Sequence, residues 1–371
     1  MYQFRPVTER MKVMHERVRE RIFHVDAERS LIVTRASKKY ESAVPAIKNA
    51  LIFKAMCEEQ TTRVEDHEIL VANHTRYFCG TRLDPRWGDG IMYLNFVENG
   101  EWTMGEDGLY HNPPSDELRL VMSPEDLEGL RSVRDYWKGK TIEEMAQAWH
   151  PDGYEELNRL GVRSFGENMP IVMMPAGHST PGYAKLLSRG YASLRQEARD
   201  WLKEHRNNLM GEDAEKCIFY SSVDIVCTGA MTLLKRYSET CKKASEACAD
   251  PARKAELLQM AENLLWLSEN PAQTFWQACQ QTLLYEMMIS MSGMTDIGSF
   301  GRFDQYTWPY LKADLEAGRI TMDQAQEITD CFFMKINSFY NGGVGPLTVI
   351  IGIGNTYLHT TVGGVDPDTG E

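Results

Sequence analysis

The stretch Ser299-Phe-Gly-Arg-Phe-Asp-Gln-Tyr-Thr-Trp-Pro-Tyr-Leu-Lys-Ala-Asp-Leu-Glu-Ala-Gly318 decides how the rest of the chain is read. Behind the pair Gly301-Arg302, Tyr306, Tyr310 and Leu311 recur at helical spacing, and Asp314, Glu316 and Gly318 mark the approach to a C-terminal stop. The spacing predicts a helix over 303–317. Directly upstream, 273–290 carries Phe275, Ala278, Leu283, Leu284 and Met287 and is apolar almost all round, which predicts a buried helix. Downstream, 322–338 reads as a further helix. Asn341-Gly-Gly-Val-Gly345 then reads as a loop and Leu347-Thr-Val-Ile-Ile351 as a buried strand.

Working back toward the N-terminus, helical patterns cover about 7–22 with Thr8 as cap, 27–43, and 46–58 through Ile47, Leu51, Ile52 and Met56. Others cover 123–136, 141–149, 152–160 and 181–206. A helix or helix pair spans 213–248, and Asp250-Pro251 opens a helix to about 268. Glu68-Ile-Leu-Val-Ala-Asn73 reads as a short strand. Residues 75–114, rich in Gly, Asn, Asp and aromatics without periodicity, read as a long ordered loop. No internal repeat or low-complexity linker appears. The expectation is one integrated α/β domain over 1–371, predominantly helical.

The chain carries 40 Lys+Arg against 53 Asp+Glu for a net charge of -13, which argues against nucleic acid, since phosphate binding needs a basic face. The reading finds no apolar stretch approaching the length of a membrane helix, and Met1-Tyr-Gln-Phe-Arg-Pro6 lacks the apolar core of a signal peptide. A cytoplasmic protein is expected. Eight cysteines, at 57, 79, 217, 227, 241, 248, 279 and 331, show no Cys-x-x-Cys pair or Cys/His cluster, so they are expected to be mostly buried thiols and no metal site is expected. The tail from Thr361 to Glu371 ends inside turn chemistry, which reads as a cut end.

Two constellations could carry chemistry. In Pro175-Ala-Gly-His178-Ser-Thr-Pro-Gly-Tyr183, two prolines and Gly177 stiffen a turn presenting a histidine, which can hydrogen-bond a substrate or move a proton near neutral pH. The structural alternative is a histidine that caps the next helix. In Gly293-Met-Thr-Asp296-Ile-Gly-Ser299-Phe-Gly-Arg302, polar side chains converge just after a buried helix. They either line a site or close a gap between helices as a paired network. Arg189-Gly-Tyr-Ala-Ser193 superficially matches a radical-carrying glycine loop but sits inside a strong helical pattern. Gly352-Ile-Gly354 lacks the third glycine and helix of a dinucleotide fingerprint, and Met287, Met288, Met291 and Met294 read as core filling.

Several segments, in one order, resemble the glycyl radical enzymes of the pyruvate formate-lyase type nearly end to end. They are Pro175 to Gly190, Lys235-Arg-Tyr237, Ala255-Glu-Leu-Leu258, Asn270 to Gln280, Gly301 to Gly318, Gln324-Ala-Gln-Glu327 and Val362-Gly-Gly364. Gln277 stands where that family more often has Glu. The resemblance implies an incomplete part of the family's ten-stranded α/β barrel surrounded by helices, with residues 1–371 as an N-terminal portion lacking the Cys loop and the glycyl radical domain. In the dehydratase-like branch it places His178 against the substrate, with Asp296, Ser299 and Arg302 as further substrate-binding candidates. It implies no catalytic residue in this chain, because no cysteine lies in a Gly-Cys-x-Glu or Cys-Cys context.

The activity implied is radical C–O, C–N or C–C cleavage of a small polar substrate. A glycyl radical outside this chain, installed by a radical-SAM activating enzyme, would drive it. The C-terminal remainder and a homodimer of the complete enzyme would be the partners. Within the family the alternatives are formate C-acetyltransferase and aryl-acetate decarboxylase. Outside it they are a non-catalytic helical binding protein, or an ordinary acid/base site built from His178, Asp296 and Arg302.

Overall fold

The computed structural model describes residues 6–114, 119–149, 153, 156, 178–205, 207, 210–293, 297–337 and 359–364. Local rules fix many of the helix boundaries. Thr8 accepts from the Met11 amide to open α1 (Glu9–Arg19), as the sequence predicts. β1 (Phe23–Asp26) precedes α2 (Glu28–Lys39) and α3 (Pro45–Glu59), the latter with proline in its first turn. β2 (Gly80–Arg82), α4 (Asp89–Glu98), β3 (Thr103–Met104), β4 (Tyr110–His111) and β5 (Leu120–Met122) follow. After these come α5 (Pro124–Trp137), α6 (Ile142–Gln147) and β6 (His178–Ser179).

The rest is mostly helical: α7 (Tyr183–His205), α8 (Glu212–Ala247), α9 (Pro251–Leu267), α10 (Phe275–Met291), β7 (Ile297–Gly301), α11 (Phe303–Glu316), α12 (Met322–Ile336) and β8 (His359–Thr360). Thr274 caps α10 through the Gln277 amide. Thr321 and Gln324 close a reciprocal capping box on α12. The expected helix over 152–160, the loop 341–345 and the strand 347–351 lie outside the described residues, apart from the isolated positions Gly153 and Glu156.

Three expectations need correction. The segment 68–73 is buried but is not a strand. The Gln280 side-chain amide on α10 acts as its neighbouring strand, accepting from Val71 N–H at 2.9 Å and donating to Val71 C=O at 2.7 Å. Trp276 Nε1 donates to Ile69 O and the Tyr237 hydroxyl accepts from the Asn73 amide, so side chains satisfy this backbone without a ladder. Residues 75–114 are not one loop: they hold β2, α4, β3 and β4, elements too short to show periodicity.

The third correction concerns α8. It is a single helix of 36 residues, and it contains a window long and apolar enough, by length and composition, to cross a membrane. The sequence reading found no such stretch. Its C-terminal half packs in the interior, with Leu233, Leu234, Tyr237 and Cys241 fully or almost fully buried. Arg236 donates to the Cys57 and Gln60 carbonyls at the end of α3.

β1 lies between β2 and β5, parallel to both, in a five-stranded sheet of order β2-β1-β5-β4-β3; β4 runs antiparallel to both of its neighbours. Its own core gathers Phe23, Val25, Tyr93, Leu94, Leu120 and Leu127. Arg76 ties it to the next helix by bonding Asp26 and Asp126, while Ala27 N–H donates to Asp126 at 2.8 Å. The larger core surrounds α10, which is buried on all sides as predicted: Ala278, Cys279, Leu283, Leu284 and Met287 have no exposure. A second sheet, ordered β6-β7-β8, lies at the end of α10.

Candidate active-site wall

The second sheet is where the two sequence constellations meet. β6 and β7 pair in parallel with His178 opposite Ile297 and Ser179 opposite Gly298. β7 and β8 pair in parallel with Ser299 opposite His359 and Gly301 opposite Thr360, with an irregularity between the two rungs. His178 and Ser299 therefore stand on adjacent strands, two positions apart in register. Asp296 lies outside the described residues. The Ser299 hydroxyl accepts from the Gly301 amide at 3.1 Å.

Gly301 has φ of 56°, and a Cβ there would lie 2.6 Å from Thr180 Cγ2. Only glycine lets the two strand ends approach this closely.

Arg302 takes the N-cap position of α11 and reaches away along the sheet edge. Its Nη2 donates to Gly363 O at 2.5 Å, and Asp304 Oδ2 accepts from Gly363 N–H at 2.8 Å. With Thr361 N–H donating to Gly301 O, these bonds fasten the segment after β8. Arg302 Nε also faces Asp304 Oδ1 at 3.5 Å. The sequence paired it with Asp296 and Ser299 by proximity alone.

Two buried polar clusters support this sheet, and neither was singled out from the sequence. Asp84 bridges Arg29, at 2.8 Å, and Arg86, at 2.6 Å. Arg29 also donates to Ser290 O and Met291 O, and Arg86 to Ser292 O, so the pair caps the carbonyl end of α10. Burial alone would raise the Asp84 carboxyl, but the Arg86 and Arg29 guanidinium groups outweigh it and hold the group well below its usual range. Gly293 follows with φ of 76°, where a Cβ would fall 2.4 Å from Arg86 Nη2.

The second cluster is Tyr183, whose hydroxyl donates to Glu286 Oε2 at 2.5 Å, with Tyr285 and Tyr306 packed against the Tyr183 ring. The one charged residue in an otherwise uncharged, buried helix was the signal available for it.

The cysteines behave as read. Six of the eight are buried and the other two, Cys217 and Cys248, are partly so. Burial pushes the Cys79 and Cys227 thiols up to about 11 and those of Cys241 and Cys331 up to about 12, so thiolate is scarce at neutral pH. No group of three metal-ligating side chains occurs among the described residues.

The Arg189-Gly190 decoy is also resolved. Gly190 is buried at a kink in α7 with φ of 69° and ψ of 164°, and a Cβ there would sit 2.7 Å from the Asn270 carbonyl carbon. Its glycine is explained by that close approach. Neither of two grooves, of about 690 and 440 Å³, is lined by His178, Ser299 or Arg302.

The family described as pyruvate formate lyase-like (PFL-like) matches residues 7–371, and the chain belongs to it.

Among its relatives, isethionate sulfite-lyase of Desulfovibrio desulfuricans is 30% identical over 99% of this chain and 43% of the relative. The (2S)-3-sulfopropanediol dehydratase of Klebsiella oxytoca is 26% identical over 94% of this chain and 41% of its own length. Of solved structures, the glycerol-bound B12-independent glycerol dehydratase from Clostridium butyricum superposes with a TM-score of 0.85 at 26% identity, covering 99% of this chain and 44% of that one. The chain spans about two-fifths of the length of the relatives it matches.

Proposed function

We propose that residues 1–371 are the N-terminal portion of a glycyl radical lyase or dehydratase that cleaves a C–O, C–N or C–C bond of a small polar substrate. The observation that carries this reading is the parallel β6–β7 register, which sets His178 beside the Ser299 strand in a chain of this family. His178 holds a substrate hydroxyl or acid group and can move a proton at the leaving group. Asp296 and Ser299 supply further polar contacts, and Arg302 fixes the strand edge beside them. This chain contributes one wall of the site. The reactive thiol and the radical glycine belong to the remaining polypeptide, and a radical-SAM activating enzyme installs the radical. The complete enzyme is a cytoplasmic homodimer.

The test is reconstitution without air from this chain, the remaining portion and the activating enzyme. His178→Ala is expected to lower turnover by about a hundredfold or more, in line with loss of a positioned acid/base group. Lys185→Ala, on the outer face of α7, is expected to leave turnover unchanged. Comparable activity for the two variants would remove His178 from the site.

A further inference from the structure

The Tyr183–Glu286 contact lies behind the β6–β7 pair and has no part in the chemistry proposed above. Tyr183 is the first residue of α7 and follows His178 through the short turn Ser179-Thr180-Pro181-Gly182. Glu286 lies near the end of α10, the helix whose carbonyl end is capped by Arg29 and Arg86 and which leads into β7. The phenol and the carboxylate are both in the interior, 2% and 3% exposed, and meet at 2.5 Å.

The Tyr183 ring is fixed as well. It stacks on Phe300 of β7 with centroids 5.9 Å apart and on Tyr306 of α11 at 5.2 Å, and Tyr285 meets it edge-on at 5.6 Å. The Tyr306 hydroxyl donates to Phe300 O, so the stack is itself tied to the backbone of β7. Burial, reinforced by the neighbouring Glu286 carboxylate, pushes the Tyr183 phenol far above its ordinary value. The proton stays on the tyrosine and the direction of donation is set.

Among the described residues β6 meets β7 at His178–Ile297 and Ser179–Gly298. The spacing and register of a strand pair are set by the packing behind it as well as by its own ladder. An apolar pair of the same volume would fill this space, but it would not select one distance and direction. A charge-assisted bond in a low-dielectric interior does both.

We propose that Tyr183 and Glu286 are positioning residues of the site, their bond setting how far the His178 strand stands from the Ser299 strand. That these strands face a substrate rests on the functional reading above, whereas the bond and its effect on the sheet do not.

The experiment is amide hydrogen exchange on this chain. Tyr183→Phe deletes only the hydroxyl and is expected to speed exchange at 178–180 and 297–301 about tenfold, with α2 and α3 unchanged. Glu286→Gln keeps an acceptor oxygen and is expected to stay within about threefold of the parent, while Glu286→Leu matches Tyr183→Phe. Tyr285→Phe alters a ring neighbour without touching the bond and is expected to change nothing. Unchanged exchange in Tyr183→Phe, or equal effects of Gln and Leu at 286, overturns the proposal. If Glu286→Leu fails to fold, the Tyr183→Phe arm decides alone.

In the reconstituted enzyme Tyr183→Phe is expected to lower kcat about tenfold with little change in KM, the pattern of a displaced catalytic wall. Equal kcat in the variant and parent enzymes overturns it too. A parent enzyme with no turnover would count against the functional reading, and the exchange data would still decide the bond's role.

Discussion

Gln280→Met isolates the feature that replaces a strand with a side chain. Gln280 is 2% exposed, and its amide makes two bonds to one residue, accepting from Val71 N–H at 2.9 Å and donating to Val71 C=O at 2.7 Å. Methionine nearly conserves the volume, so little cavity forms. What changes is that two buried backbone groups lose their partners, at about 1–3 kcal/mol each, for a total of about 2–6 kcal/mol. The assay is urea denaturation followed by tryptophan fluorescence, with exchange measured at 69–73. Trp276 donates to Ile69 O in the same segment and serves as a local reporter. Gln280→Glu keeps only the acceptor and sets a carboxylate oxygen against Val71 C=O, so its loss should at least equal that of Met. A loss below about 1 kcal/mol with unchanged exchange would refute the reasoning.

Further expectations concern other buried groups. Lys335 bonds Glu68, the two side chains being 2% and 4% exposed; Lys335→Met strands the carboxylate and should cost about 3–5 kcal/mol, while Lys335→Met/Glu68→Leu should recover most of it in the same denaturation assay. Burial lowers the Lys335 ammonium below its ordinary 10.5, so the unfolded chain binds its proton more tightly, and this group's contribution to stability should rise with pH up to about 10.5. Asp84 has the same sign of linkage in an acid window. Its depressed carboxyl contributes stability that is complete above the unfolded value of 3.8 and is lost as pH falls below it, so Asp84→Asn should flatten acid unfolding in that window. Gly190→Ala meets both a left-handed φ and a Cβ contact of 2.7 Å with Asn270 backbone, and should lower Tm by several degrees; an unchanged Tm would show that the kink relaxes freely.

The helical part of the fold was legible because 3.6-residue periodicity and caps are local. Thr8, Asp250-Pro251 and the apolar run of α10 each mark a real boundary or burial pattern. The small sheets were not, because strands of two to five residues carry almost no period and β1 falls unmarked between two helices. Residues 68–73 misled for a physical reason: an apolar buried segment has the composition of a strand whether its partner is a backbone or the Gln280 amide. The candidate site rests on family resemblance, since His178 and Ser299 are far apart in sequence and come onto adjacent strands only through the β6–β7 pairing. Nothing in the spacing announced the Asp84 bridge or the Tyr183–Glu286 bond, which join residues 55 and 103 positions apart.

The most direct measurement is an EPR spectrum of the anaerobically reconstituted complex with carbon-13 glycine supplied to one portion at a time. Labelling the remaining portion should add carbon-13 splitting to the radical signal, and labelling residues 1–371 should leave the line shape unchanged. Splitting that follows the label in this chain would contradict the assignment of the unpaired electron to polypeptide outside it.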